Sequence, residues 1–448
     1  MRTERNRWPR FSLLAPKLIK TGGARDEEVH IWCIGIAVLA LVGVVSSAQQ
    51  KVVWIGPIYK ELAESLTRGF KDYYLRTYGE PIEVTFIRPG GWPVCVDKVR
   101  EWGGQPDADV FLGSGAPAHR LLQNLGLTVP YKHAHWEAIP AEWHGMMVKD
   151  PDGYWSAFAP WLVSNMYNEP VLNMFNLPVP QTWEDLLDPR YRGLVAMCLP
   201  YASGTMHEVC EIILQYYGEK DGWAYLRYLG AQVGRWTTGS TDTTHMVTRG
   251  EYPIGIAQPQ MNAMVARRDG YPVGNLVPNV TILVPESAAL LKNAPNEKNA
   301  KIFLDWLYSE EGQKYVLMGG YFPARSDISL SAWAAEGITM ANHAINALGG
   351  KDNFWQLELE LLNYDLALAE SRWDFVNKYF EEEIYRKWDE LKNTLTQIEQ
   401  VEAEIKRVAN SRDVSEALAL VAQARALFGE GNLAEARATA EKARAALK

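Results

Sequence analysis

From Lys51 onward, short apolar runs alternate with stretches of helical spacing, which restricts this part of the chain to an α/β layer with parallel strand pairing. Lys51–Ile55 reads as a strand, Gly56–Tyr59 as a turn, and residues 60–78 as a helix with Leu62, Leu66, Phe70 and Tyr74 on one face. Ile82–Ile87 is a second strand, broken by residues 89–93, and Val94–Trp102 is a second helix. Asp109–Leu112 is a third strand, closed by Gly113–Pro117 and followed by a short helix at Leu121–Leu125. Ligands collect beyond the carboxyl ends of strands in such sheets, so turns 56–59 and 113–116 are candidate ligand loops.

The pattern resumes after a crossing segment. Trp155–Asn168 reads as extended strands interrupted by Pro160, leading into a second lobe. Thr182–Asp185 has capping-box form and opens a short helix. Gly193–Cys198 is a buried strand and Val209–Tyr217 an amphipathic helix, so Leu199–Glu208 is the turn between them. Thr205 and Glu208 have capping-box spacing, which starts the helix at Thr205. The first N–H groups of a helix lack internal partners, and its dipole makes that end positive. Gly204 admits a ligand to the backbone while Ser203 and Thr205 add hydroxyls, so the turn makes an anion seat. A plain N-cap is the competing reading. Further on, residues 221–229 are helical, residues 235–244 form a hydroxyl-rich turn, and Ile254–Ala257 is a strand ending in Gln258-Pro-Gln260. Val280–Val284 crosses back, and residues 296–318 form a helix with Ile302, Phe303, Trp306 and Leu307 on one face.

The amino end carries an uncharged apolar run, residues 31–45, which is short of the roughly 20 residues a membrane-spanning helix needs. It suits a signal-peptide core, with Ser46-Ser-Ala48 as a cleavage site and basic residues upstream. Asp26, Glu27 and Glu28 before it are unusual for a signal, so residues 1–48 read as a signal peptide or an uncleaved membrane anchor. Export leaves Cys95, Cys198 and Cys210, either with a Cys198–Cys210 bridge or as three buried thiols. A formal net charge of −9 argues against a nucleic-acid partner. His133, His135 and His144 fall short of a four-ligand zinc set. With no nucleophile elbow, P-loop or His-Glu-x-x-His helix, the chain offers no catalytic set and reads as a non-enzyme. Asn279-Val-Thr281 fits an N-glycosylation acceptor. Beyond Tyr385, Leu391, Leu395, Ile398, Val401, Ile405 and Val408 recur in steps of three and four, and residues 411–428 and 433–447 make two further helices.

Six segments carry a resemblance: Asp109–Gly113, Pro180–Gly193, Ala202–Thr205, Arg249–Gly255, Ser309–Gln313 and Gly320–Arg325. In their order, over about residues 51–330, the chain resembles the family 1 extracellular solute-binding proteins. These are the ligand receptors of ABC importers, in the branch with ferric-iron and aminoalkylphosphonate binders. The resemblance implies an α/β, two-lobed periplasmic-binding-protein fold of type II that closes on its ligand. Lobe 1 would comprise 49–158 and 281–330, lobe 2 159–280 and 331–386, with a helical extension at 387–448. It implies a small-molecule solute and a membrane permease as partners, and neither cofactor nor resident metal. Carried over by position, the ligand loops hold Tyr59, Ser114, Gly115, Ser203, Gly204, Thr205, Thr238, Ser240, Gln258 and Gln260. These are neutral donors, which suit an oxyanion such as a phosphonate, phosphate or carboxylate. Where the family's iron binders place adjacent tyrosines, this chain has Gln258-Pro-Gln-Met261, and amides are poor ligands for a hard trivalent metal. Ferric iron remains an alternative, as do a polyamine and, from Trp54, Trp92 and Trp161, a sugar. An enzyme on the same two-lobed plan is the rival class. Glu286 would receive an ammonium group, or is a solvated loop carboxylate.

Overall fold

The computed structural model describes residues 49–447; the apolar run 31–45 and its cleavage site lie outside the described residues. Two sheets share one long strand. Three parallel strands, β1 (Gln50–Ile55), β2 (Ile82–Ile87) and β3 (Val110–Leu112), lie in the order β2-β1-β3. The thirteen-residue β4 (Ser156–Asn168) crosses from this sheet to the next. In the second sheet lie β5 (Val195–Cys198), β6 (Val233–Thr237), β7 (Ile254–Pro259) and β8 (Val273–Leu276). β7 runs parallel to β5 and β5 to β6, while β7 and β8 pair antiparallel with the far half of β4. The chain returns through β9 (Leu283–Leu291), antiparallel to both β3 and the near half of β4. Each sheet with its helices is one lobe, and β4 and β9 are the hinge.

Pro160 does not interrupt β4. It faces Pro285 of β9 in a continuous ladder whose register shifts at Glu286/Ser287. A strand tolerates proline beside a bulge, and the bulge re-aims the next side chain. Here that side chain is Glu286.

In the first lobe, α1 (Lys60–Tyr78), α2 (Trp92–Glu101) and α3 (Ala116–Asn124) follow the three strands. α3 is longer than the short helix expected at Leu121–Leu125 and starts earlier, because Pro117 sits in its first turn, where a missing N–H costs nothing. The stretch 296–318 is two helices, Glu297–Leu307 and Glu310–Met318, because the Ser309 hydroxyl accepts the Gly312 N–H at 3.1 Å and starts a new one. Trp54 stacks on Phe303 with ring centroids 4.3 Å apart, and Phe70 meets Phe303 edge-on at 5.2 Å, which fastens β1 and α1 to the returning helices.

The second lobe carries α4 (Gly204–Tyr217), α5 (Glu219–Gln232), α6 (Ser240–Thr248) and α7 (Gln260–Arg268). After β9 come α8 (Glu297–Leu307) and α9 (Glu310–Met318), then α10 (Leu330–Ala335) and α11 (Thr339–Ala347). α11 touches α7 of the second lobe and α9 of the first. The chain next runs beside the hinge, where the Leu362 N–H donates to Thr281 O at 2.9 Å, and enters α12 (Leu366–Ser371) and α13 (Trp373–Phe380).

Of the last three helices, α14 (Trp388–Val408) and α15 (Ser415–Glu430) pack on α5, α16 (Leu433–Ala445) packs on both of them, and all share the core of α5. The Trp388 indole donates to Val233 O at 3.0 Å, Arg192 holds Glu399 through two nitrogens at 2.5 and 2.7 Å, and Arg227 donates to Gly429 O at 2.6 Å. No helix among the described residues is long and apolar enough to cross a membrane.

Candidate functional site

The site grows from the end of β3. Gly113 and Ser114 both turn into left-handed backbone, at φ 102° and 70°. A serine there is strained, and such strain persists only where neighbours enforce it. The neighbour is β9: Gly113 N–H donates to Ser287 O at 2.8 Å, Ser287 N–H to Ser114 O at 2.9 Å, and Ser114 N–H to the Glu286 carboxylate. The other Glu286 oxygen, Oε1, accepts the Trp161 indole N–H at 3.1 Å. Glu286 is buried rather than solvated, and burial lifts its pKa to about 7 despite those two donors.

A second carboxyl group stands nearby from the other lobe. Glu208 lies in the second turn of α4, and the helix begins earlier than expected: Ser203 is the N-cap, its hydroxyl accepting Met206 N–H at 3.3 Å. Glu208 is thus released from capping. Its Oε2 is buried without a hydrogen-bond partner. Burial first, and then the charge of Glu286, push its pKa up to about 8.

Glu208 borders a cavity of about 480 Å³ at the junction of the lobes, which Val284 and Pro285, just before Glu286, also line. Its walls include Ser114, Gly115 and Arg120 of the first lobe, His207 and Glu208 of α4, and residues 361–373 of the hinge-side segment. His207 is buried, with Nδ1 3.0 Å from Asn377 Oδ1, its ring 3.8 Å from that of Trp373, and Nε2 without a partner. Burial lowers its pKa, so it is neutral at physiological pH.

The other expected residues fall in three groups. Tyr59 stands near Ser240 of the other lobe; burial raises its pKa, and Ser240, Glu286, Arg88 and Cys198 lie close enough to act on it. Ser203 lies close enough to act on Cys198, so the turns at 59, 203 and 240 converge on one polar cluster beside the cavity. Gly204, Thr205 and Thr238 do not line the cavity: Gly204 and Thr238 are exposed, Thr205 is half-buried, and the Thr238 hydroxyl donates to Asp242. Gln258 and Gln260 are buried and occupied, Gln258 with the Thr244 hydroxyl and the Ile256 carbonyl (3.1 Å), Gln260 with Ala347 O (3.3 Å).

Cys95, Cys198 and Cys210 are free and buried. His133 stacks on Tyr308 with ring centroids 3.6 Å apart. Trp54 is in the first-lobe core, Trp161 serves Glu286, and Trp92 reaches the cavity, its ring 6.3 Å from Trp373 on the opposite wall.

Sequence reasoning missed Glu208, His207, Arg120 and Tyr364. His207 and Glu208 fall inside the expected turn Leu199–Glu208 but lie on α4, which starts at Gly204, and nothing local marks the remote segment that faces them.

Comparison with known proteins agrees with this architecture. Residues 105–338, just over half of the chain, match the family model of bacterial extracellular solute-binding proteins. An uncharacterized protein of Haemophilus influenzae is 30% identical over 260 residues, 56% of this chain and 71% of that protein. A putative 2-aminoethylphosphonate-binding periplasmic protein of Salmonella typhimurium is 24% identical over 309 residues, 66% of this chain and 84% of its own. The periplasmic binding protein AfuA of Actinobacillus pleuropneumoniae, solved with fructose-6-phosphate, superposes with a TM-score of 0.58 over 75% of this chain and 99% of its own. At 22% identity that likeness speaks to the fold.

Proposed function

The chain belongs to the bacterial extracellular solute-binding proteins, and from that premise we propose that it captures an oxyanion-bearing small solute between its lobes and delivers it to the permease of an ABC importer. The observation that carries this reading is the composition of the cavity wall. The amino end of the nine-residue α3 lines the cavity, with Ser114 and the N-cap Gly115 before it and Ala116 as its first residue, and Arg120 stands one turn further along. A helix amino terminus with an arginine beside it attracts negative charge. A protonated Glu208 adds a donor as long as that acid stays neutral. Tyr59, Ser114, Ser203 and Ser240 are assigned to positioning the two lobes around the head group, and residues 1–48 to export or anchoring. The Salmonella relative, named for a phosphonate, supports the same head group.

A second reading adds an ammonium group to the solute. It is favoured by Glu208, whose buried Oε2 has no partner and whose neighbour Glu286 is also an acid. A cation placed between them removes their repulsion.

Calorimetric titration with methylphosphonate, acetate, phosphate, glucose and ferric citrate tests the head group. Binding of the oxyanions with loss of affinity in Arg120→Gln is the expected result. Binding of glucose or ferric citrate alone overturns it.

A further inference from the structure

The cavity is larger and more apolar than an oxyanion head needs. Its volume of about 480 Å³ falls in the range of roughly 300–1,000 Å³ seen for pockets that enclose drug-sized molecules. One side is built by a segment that begins after the residues matched by the family model, which end at 338. From that segment Leu362, Leu366 and Trp373 line the cavity, and Trp92, Met146 and Val284 line the opposite side.

The segment is fixed in place, and every fastening is to the second lobe or the hinge. Besides the Leu362 bond to Thr281, the Asp365 N–H donates to Gln215 Oε1 at 2.8 Å and Gln215 returns a bond to Asp365 O at 3.1 Å. Arg372 grips the fully buried Glu211 through Nε, at 2.9 and 3.0 Å, and through Nη2 at 2.6 Å. A buried charge pair of that geometry is costly to break. Between these anchors Leu361, Leu362, Leu366, Ala369 and Trp373 line the cavity, with Asn363, Tyr364 and Glu370 beside them; the apolar members gain free energy only against an apolar surface.

We propose that residues 361–373 are a specificity wall, and that the cleft takes solutes whose charged head is joined to an apolar body the size of an aromatic ring or a short alkyl chain. The proposal deepens the function given above and rests on it for the head group alone. The test compares methylphosphonate with phenylphosphonate by calorimetry on the full chain, on Trp373→Ala and on Leu366→Ser. Burying a ring adds enough free energy for phenylphosphonate to bind the wild type about tenfold more tightly or better. Each variant then reduces that ratio at least about threefold while methylphosphonate affinity stays within about twofold. Two variants separate a local effect from a folding defect, which would weaken both ligands alike. Equal affinities in the wild type overturn the wall. So does tighter binding of both ligands by the variants, which would make the segment a plug. If neither phosphonate binds, the head-group reading fails, and methylammonium against phenethylammonium then decides the wall by the same ratio.

Discussion

At the scale of single residues, the two carboxyl groups at the cleft control how the protein responds to pH. Both Glu286 and Glu208 hold their protons more tightly in the folded protein, to about pH 7 and 8, than an ordinary glutamate with a value of 4.5. The folded state therefore binds more protons than the unfolded chain between these limits, and stability falls as pH rises through that window. Thermal melts without solute should lose stability from about pH 5 to about pH 8 and then level off. Glu208→Gln should flatten much of that slope, and an unchanged slope would remove Glu208 from the account. Binding carries the opposite signs for the two head groups: affinity for methylphosphonate should fall as pH rises through 7 to 8, and affinity for an ammonium compound should rise. Tyr59→Phe removes the hydroxyl that stands near Ser240 of the other lobe. It should weaken solute binding by about fivefold, the worth of one hydrogen bond, with little change in melting temperature.

At the scale of elements, the strands and the first helices were legible because each is a local pattern. Leu62, Leu66, Phe70 and Tyr74 do form the buried face of α1, and β1 and β2 fall where the apolar runs place them. Reading failed where a distant partner decides. Pro160 looks like a break until Pro285 is set opposite it. Glu208 looks like half of a capping box until Ser203 takes the cap. Ser203→Ala should cost about 1 kcal/mol in a denaturant titration, whereas Thr205→Ala should cost a few tenths. Phe303→Ala removes the ring that Trp54 and Phe70 both meet, and should cost about 3–5 kcal/mol. The cavity was the least legible feature. Its walls come from segments near 114, 146, 207 and 284 and from the 361–373 stretch, and no local pattern links them.

At the scale of the whole molecule, the last three helices share a core with the second lobe, so removing residues 387–448 should destabilise the protein rather than trim it. A truncated chain with an unchanged melting temperature would contradict that packing. The central claim concerns the cleft itself: two hinged lobes shut on a solute. Trp92 and Trp373 face each other across it at 6.3 Å, with exposed neighbours Val94 and Asp374 on the respective sides. The most direct measurement is the distance between spin labels at Val94→Cys and Asp374→Cys, taken by pulsed electron paramagnetic resonance with and without a saturating solute. The account predicts a broad, longer distribution that sharpens and shortens when solute binds. The same distribution in both samples, with binding verified by calorimetry, would contradict it.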